Sequence, residues 1–243
     1  MKRIFSLILA LMAVQMMWAA KIPVTNTSDD EDEEGSLRWA CKNATAEDTI
    51  VFKFSTKGDK TIHISSPLST TASIDGSTWA DSIIIEGTNK KANSNDDGFQ
   101  GVGAFVKNII VQNCYAGFHV LTRTHEILFD NCIARDCQMG FYCDNYGDVS
   151  ILHCRSLNNN NCGISSGSTV LKAIEDCHII GNKKAGIYGQ AKNITGCRIY
   201  NNDVGIDVVY NSDLIDDCVI SGNTTYGIHV SGKVKKSLIM LLD

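Results

Sequence analysis

Between Asn108 and Val230 one pattern is written six times, and that repetition restricts the fold more than any other feature of the chain. Each copy has an apolar residue, a cysteine three positions later and, in most copies, an Ile two beyond it. An Asn follows at cysteine plus five, and the copy closes on a Gly with an apolar residue after it. The anchoring cysteines are Cys114, Cys132, Cys154, Cys177, Cys197 and Cys218, spaced 18 to 23 residues apart. A period that short has room for one winding of short strands and none for a pair of helices. Side chains alternate along a strand, so each cysteine shares a face with the second residue after it. That face is apolar in copy after copy and must point inward. Asn159, Asn182, Asn202 and Asn223, with Cys137 in the equivalent place, mark a corner. Asn tolerates a left-handed backbone there, and its amide can bond its copy one coil away.

Such a solenoid grows by adding coils, so one elongated domain is expected over residues 48–243. Ahead of it, residues 1–20 read as a secretory signal: Lys2 and Arg3, an apolar run from Ile4 to Met17, then Ala19 and Ala20. Membrane attachment is expected only if that segment stays uncleaved. Residues 21–47 hold a first strand, the acidic run Asp29–Glu34, and the stripe Leu37, Ala40, Cys41, Ala44 with Ser36 as N-cap. The stripe predicts a short helix lying as a lid on the N-terminal end of the coils. Without Lys2 and Arg3 the chain has 20 basic residues (22 less those two) against 27 acidic, and six of the acids sit in that one run. The body is near neutral and has no basic face, which argues against a nucleic-acid partner. Six of the ten cysteines, the repeat anchors, are read as small buried residues with free thiols stacked about 4.8 Å apart, and Cys41, Cys137, Cys143 and Cys162 stand outside that ladder. No CxxC pair or His at zinc spacing suggests a metal. Calcium is the one cofactor that carboxylates of the acidic run or the polar stretch Thr88–Gly103 could hold, through Asn93, Asn95, Asp96 and Asp97.

The coils "DCHIIGNKKAGIYG", "GCRIYNNDVGIDV" and "DCVISGNTTYGIHV" resemble those of the pectate lyase-like superfamily. The opening "VTNTSDDEDEEGSLRWA…DTIVFKF" is similar to the "GSLR…TIVF" start of secreted β-helix proteins, polysaccharide lyases among them. The resemblance implies an all-β, right-handed parallel β-helix, a polysaccharide partner, and a secreted, periplasmic or cell-surface location. The lyases' acidic calcium cluster and Arg-bearing strand have no match, so no family catalytic residue carries over.

Two outward stripes can be read from the repeat. After each closing Gly the second residue points out, giving His119, Tyr142, Ser165, Tyr188, Asp207 and His229. Flat rings along a rigid sheet suit the apolar face of a sugar, so His119, Tyr142, Tyr188, Asp207 and His229 are the candidate substrate-binding residues. Flanking the cysteines, Arg155, His178 and Arg198 fall in a row near His153 and Asp176. An Arg could neutralise a uronate carboxylate while His178 or Asp176 removes the neighbouring proton, so Arg155, Asp176, His178 and Arg198 are the candidate catalytic residues. The leading expectation is a β-helix that binds polysaccharide without turning it over. The alternatives are an active lyase or uronate epimerase, and a structural or adhesive module. The apolar ending "LIMLLD" would suit a partner chain over the last coil.

Overall fold

Two left-handed residues per coil fold the chain into flat walls. The computed structural model describes residues 19–88, 96–121, 126–144, 148–208, 214–230, 234–235 and 237–241. All strand pairs in it are parallel, and the central coils each contribute a strand to each of three walls. The first wall includes Ala116–Val120, Met139–Cys143 and Val204–Val208; the second includes Thr49–Phe52, Ile127–Asp130 and Val149–Leu152. The third stacks Lys60–His63, Ile83–Glu86, Ile110–Gln112, Ile133–Arg135, Arg155–Leu157, His178–Ile180, Arg198–Tyr200, Val219–Asn223 and Leu238–Leu241. Strands Ile164–Glu175 and Ala185–Thr195 run from the first wall into the second without a break.

In the coils anchored on Cys132, Cys154, Cys177, Cys197 and Cys218 the residue before the anchor is left-handed, with φ of 52° at Asn131 and His153, 50° at Asp176, 63° at Gly196 and 52° at Asp217. A second set closes the same wall: Asp136 at 55°, Asn158 at 54°, Gly181 at 70°, Asn201 at 58° and Gly222 at 63°. Asn, Asp and Gly occupy these corners because they reach that conformation at least cost. The second set corrects one expectation, since the left-handed residue stands one place before each repeated Asn. The Asn side chains themselves turn inward and are buried. Their amides form the anticipated ladder, Asn159 donating to Asn182 at 2.9 Å, Asn182 to Asn202 at 2.9 Å and Asn202 to Asn223 at 3.1 Å. Cys137 ends it, its backbone N–H donating to Asn159 at 3.0 Å.

The first copy of the repeat is also corrected. Val111 pairs with Ala134 and Ile85 in the third wall, so the inward anchor of that coil is Ile109, preceded by left-handed Asn108. Cys114 therefore occupies the corner place that Cys137 takes one coil later, and each thiol donates to a carbonyl two residues before it, Cys114 to Gln112 and Cys137 to Arg135, at 3.3 Å. The inner ladder is Cys132, Cys154, Cys177, Cys197 and Cys218, continued by Ser237, whose hydroxyl accepts from the Cys218 N–H at 3.4 Å. The thiols of Cys132, Cys177, Cys197 and Cys218 donate to carbonyls one coil back, as Cys177 does to Ile151 at 3.3 Å. All ten cysteines are free and buried. Burial pushes the Cys41 and Cys143 thiols up to about 12 and raises Cys154 well above the usual range, leaving little thiolate to react. Native protein is expected to resist Ellman's reagent while urea-unfolded protein releases all ten equivalents. A thiol reacting within seconds in the native state would contradict the buried ladder.

Inward residues of the first and second walls interdigitate as aromatic stacks. Phe118 lies 5.8 Å from Phe99, 5.0 Å from Phe141 and 5.1 Å from Phe129. The predicted lid forms as helix Leu37–Asn43, with the Trp39 N–H donating to the Ser36 hydroxyl at 2.9 Å and Leu37, Ala40 and Cys41 buried. One residue of the acidic run is not simply solvated: Asp29 pairs with Arg38 at 2.7 Å and accepts from the Ser65 N–H at 2.8 Å, tying the lid loop to the coils. In the last described coil Leu238 and Ile239 are 53 % and 44 % exposed. The segment read as a secretory signal falls largely outside the described residues, as do Asn93 and Asn95. Among the described residues no helix is long and apolar enough to cross a membrane.

Candidate functional site

Register fixes which outward side chains become neighbours. On the first wall Gln100, His119, Tyr142, Ser165, Tyr188, Asp207 and His229 succeed one another rung by rung. This is the row read from the repeat, extended by Gln100 from a two-residue strand too short to be seen in sequence. Its two ends differ. Tyr188 is 38 % exposed with the Lys184 ammonium 5.6 Å from its ring centre. Beyond it, His229 Nδ1 meets Asp207 Oδ1 at 2.9 Å, beside the exposed ring of Tyr226.

At the other end the row is recessed. His119 is only 5 % exposed although it points away from the coil interior, and Ser165 is equally covered. His119 Nδ1 lies 2.7 Å from Asp97 Oδ2, whose side chain is wholly buried. Asp97 also accepts from the Ala116 N–H at 3.0 Å and from Gln100 Nε2 at 3.3 Å. The Tyr142 ring stacks on the imidazole with centres 4.6 Å apart. Burial, then the neighbouring Asp144 carboxylate, push the Tyr142 hydroxyl up to about 12, so it stays protonated at neutral pH. Asp97 was legible only as a polar loop residue suited to a cation; its partner is 22 residues away and no local pattern links them.

On the third wall Arg155, His178 and Arg198 stand on consecutive rungs in one register. Like charges in direct cross-strand contact repel, so a stabilising role would call for acids between them. Among the described residues neither arginine has an ion pair. Burial, then Arg155 and Arg198, lower the His178 pKa from its ordinary value, which favours the neutral ring. Asp176 does not join this row. Its left-handed backbone at φ 50° places it on the corner, where its carboxylate is 3.9 Å from Nε2 of His153, itself paired with Asp130 at 2.8 Å. Among the described residues no group of three or more His, Cys, Asp or Glu is placed to hold a metal ion.

The family described as right handed beta helix region matches residues 62–213. The chain belongs to that family. This right-handed β-helix is similar in structure to the A-module of the mannuronan C-5 epimerase AlgE6 of Azotobacter vinelandii. The two are 16 % identical, with a TM-score of 0.44 over 82 % of this chain and 57 % of that one. The β-helix thus spans just over half the length of that module. No curated protein matches its sequence.

Proposed function

We propose that the protein binds a polysaccharide lengthwise along its first wall and does not turn it over. The observation that carries this reading is the unbroken seven-rung row from Gln100 to His229, in which rings and hydrogen-bonding groups recur once per coil along a rigid axis. A polymer lying parallel to that axis meets the same kind of side chain about every 4.8 Å. Tyr188 offers an exposed ring for stacking, and Asp207 and His229 offer groups for hydroxyls. A leader of the kind read in residues 1–20 would deliver the protein to a secreted, periplasmic or cell-surface location where such polymers occur.

A glycan array, run with and without calcium, tests the reading. Tyr188→Ala combined with His229→Ala is expected to weaken binding roughly tenfold, about the combined worth of two ring contacts. Binding that ignores both substitutions, or no binding to any glycan, would defeat it.

A second reading rests on the uncompensated cations of the third wall. Arg155 and Arg198 would hold carboxylates of an acidic polymer and neutral His178 would take a proton, as a uronate lyase or epimerase requires. Incubation with pectin or alginate would then give unsaturated, ultraviolet-absorbing product or an altered uronate composition, abolished by Arg198→Ala. The same substitution should move the His178 titration, followed by NMR, upward, because it removes one of the charges that oppose protonation. Absence of both binding and turnover would leave a structural or adhesive role.

A further inference from the structure

We propose that Nε2 of His119 is a built acceptor for a hydroxyl of a bound sugar ring, with Asp97 as the residue that sets its polarity. This rests on the reading of the first wall as a polysaccharide row and names the point where that row holds its ligand most specifically. Three donors converge on the buried Asp97 carboxylate: the Ala116 N–H on Oδ1, with His119 Nδ1 at 2.7 Å and Gln100 Nε2 at 3.3 Å on Oδ2. A carboxylate takes hydrogen bonds and gives none, so Nδ1 carries a hydrogen, and in the neutral ring the lone pair then lies on Nε2.

Nε2 has no hydrogen-bond partner among the described residues, and its side chain is 5 % exposed. Buried polar atoms are nearly always partnered, and an unmatched one costs about 1–3 kcal/mol. His153 and His229 also pair through Nδ1 with an Asp, but their side chains are 59 % and 70 % exposed, so solvent serves their second nitrogens. His119 alone of the three is stacked against a tyrosine ring at 4.6 Å and screened from bulk solvent in the free protein, so only a ligand that displaces that screen reaches its second nitrogen. A neutral hydroxyl donor satisfies such an atom, and a polyhydroxylated ring lying along the row brings one to it without a charge to desolvate.

Asp97→Asn is the informative substitution because it reverses polarity with little change of shape. The Asn oxygen would keep the Ala116 N–H, and its NH2 would face Nδ1. The imidazole hydrogen then moves to Nε2, turning acceptor into donor. In nitrogen-15 spectra of the full chain, wild-type His119 should show the Nδ1–H tautomer. Its Nε2 signal should move on adding pectin- or alginate-derived oligosaccharides, while His63, on the third wall, stays fixed. Asp97→Asn should show the opposite tautomer and bind about tenfold more weakly, and His119→Gln should weaken binding to a similar extent. If both variants bind as the wild type does while Tyr188→Ala weakens binding, the acceptor role falls and the polysaccharide row stands. If no oligosaccharide binds the wild type, the row itself falls and this role with it. A wild-type Nε2–H tautomer would overturn the inference without any variant.

Discussion

Replacing Asn182 with alanine is expected to lower stability by about 4 kcal/mol, because several buried polar groups lose partners at once. The Asn182 oxygen accepts from the Asn159 backbone N–H at 3.1 Å and from the Asn159 amide at 2.9 Å. Its own amide donates to the Ser156 carbonyl at 3.2 Å and to Asn202 at 2.9 Å. All of these lie inside the coil, where water cannot replace them. A stability loss of that size corresponds to a fall of roughly 10 °C in Tm for a chain of this length. Urea unfolding of wild type and variant checks it, and a difference below 1 kcal/mol would mean that water enters this corner and the ladder is not a dry one. Lys192→Ala, an exposed substitution in the neighbouring strand, should stay within about 0.5 kcal/mol.

That ladder shows which features a repeat makes readable. Inward and outward assignments follow from strand alternation, so the Cys132 to Cys218 interior, the first-wall row and the Arg155–His178–Arg198 rungs were legible from spacing alone. Conformation at the corners was not, since Asn serves both as a left-handed residue, as at Asn158 and Asn201, and as the buried amide beside it. The slip at Cys114 has the same root. A cysteine at the corner resembled the ladder cysteines, although its three-residue distance to Gly117, against eight from Cys132 to Gly140, carried the signal that Ile109 was the true anchor. Spacing put Asp176 beside the Arg155–His178–Arg198 row, and its left-handed backbone at the corner brings it near His153. The burial of His119 depends on what flanks the wall, and alternation along a strand holds no information about that. The most specific part of the candidate site, His119 with Asp97, was therefore visible only as two unconnected residues.

Gly186→Ala should cost about 3 kcal/mol, the upper end of what overpacking does, although it adds a single methyl group. A Cβ at Gly186 would lie 2.6 Å from the Gly205 carbonyl oxygen, 2.9 Å from Ile199 Cγ2 and 3.1 Å from Asn202 Nδ2. The first of these is backbone in the next coil, and strand pairing holds the coil rise near 4.8 Å, so that oxygen has nowhere to retreat. Displacing Asn202 instead would break its 2.9 Å bond from Asn182 and carry the strain into the buried ladder. Gly163, one coil back, faces the Gly186 carbonyl in the same way at 2.7 Å, so this close approach recurs where each coil enters the first wall. Two residues further along the same strand, Tyr188 points out and is 38 % exposed, and Tyr188→Ala should change stability by less than about 0.5 kcal/mol. The pair separates the two sides of one strand: a methyl added inside unfolds the protein at lower urea, while a whole ring removed outside alters only what the wall can bind. Equal midpoints for the two variants would show that the coils can spread at their glycines, and the rigid axis on which the polysaccharide row depends would be lost.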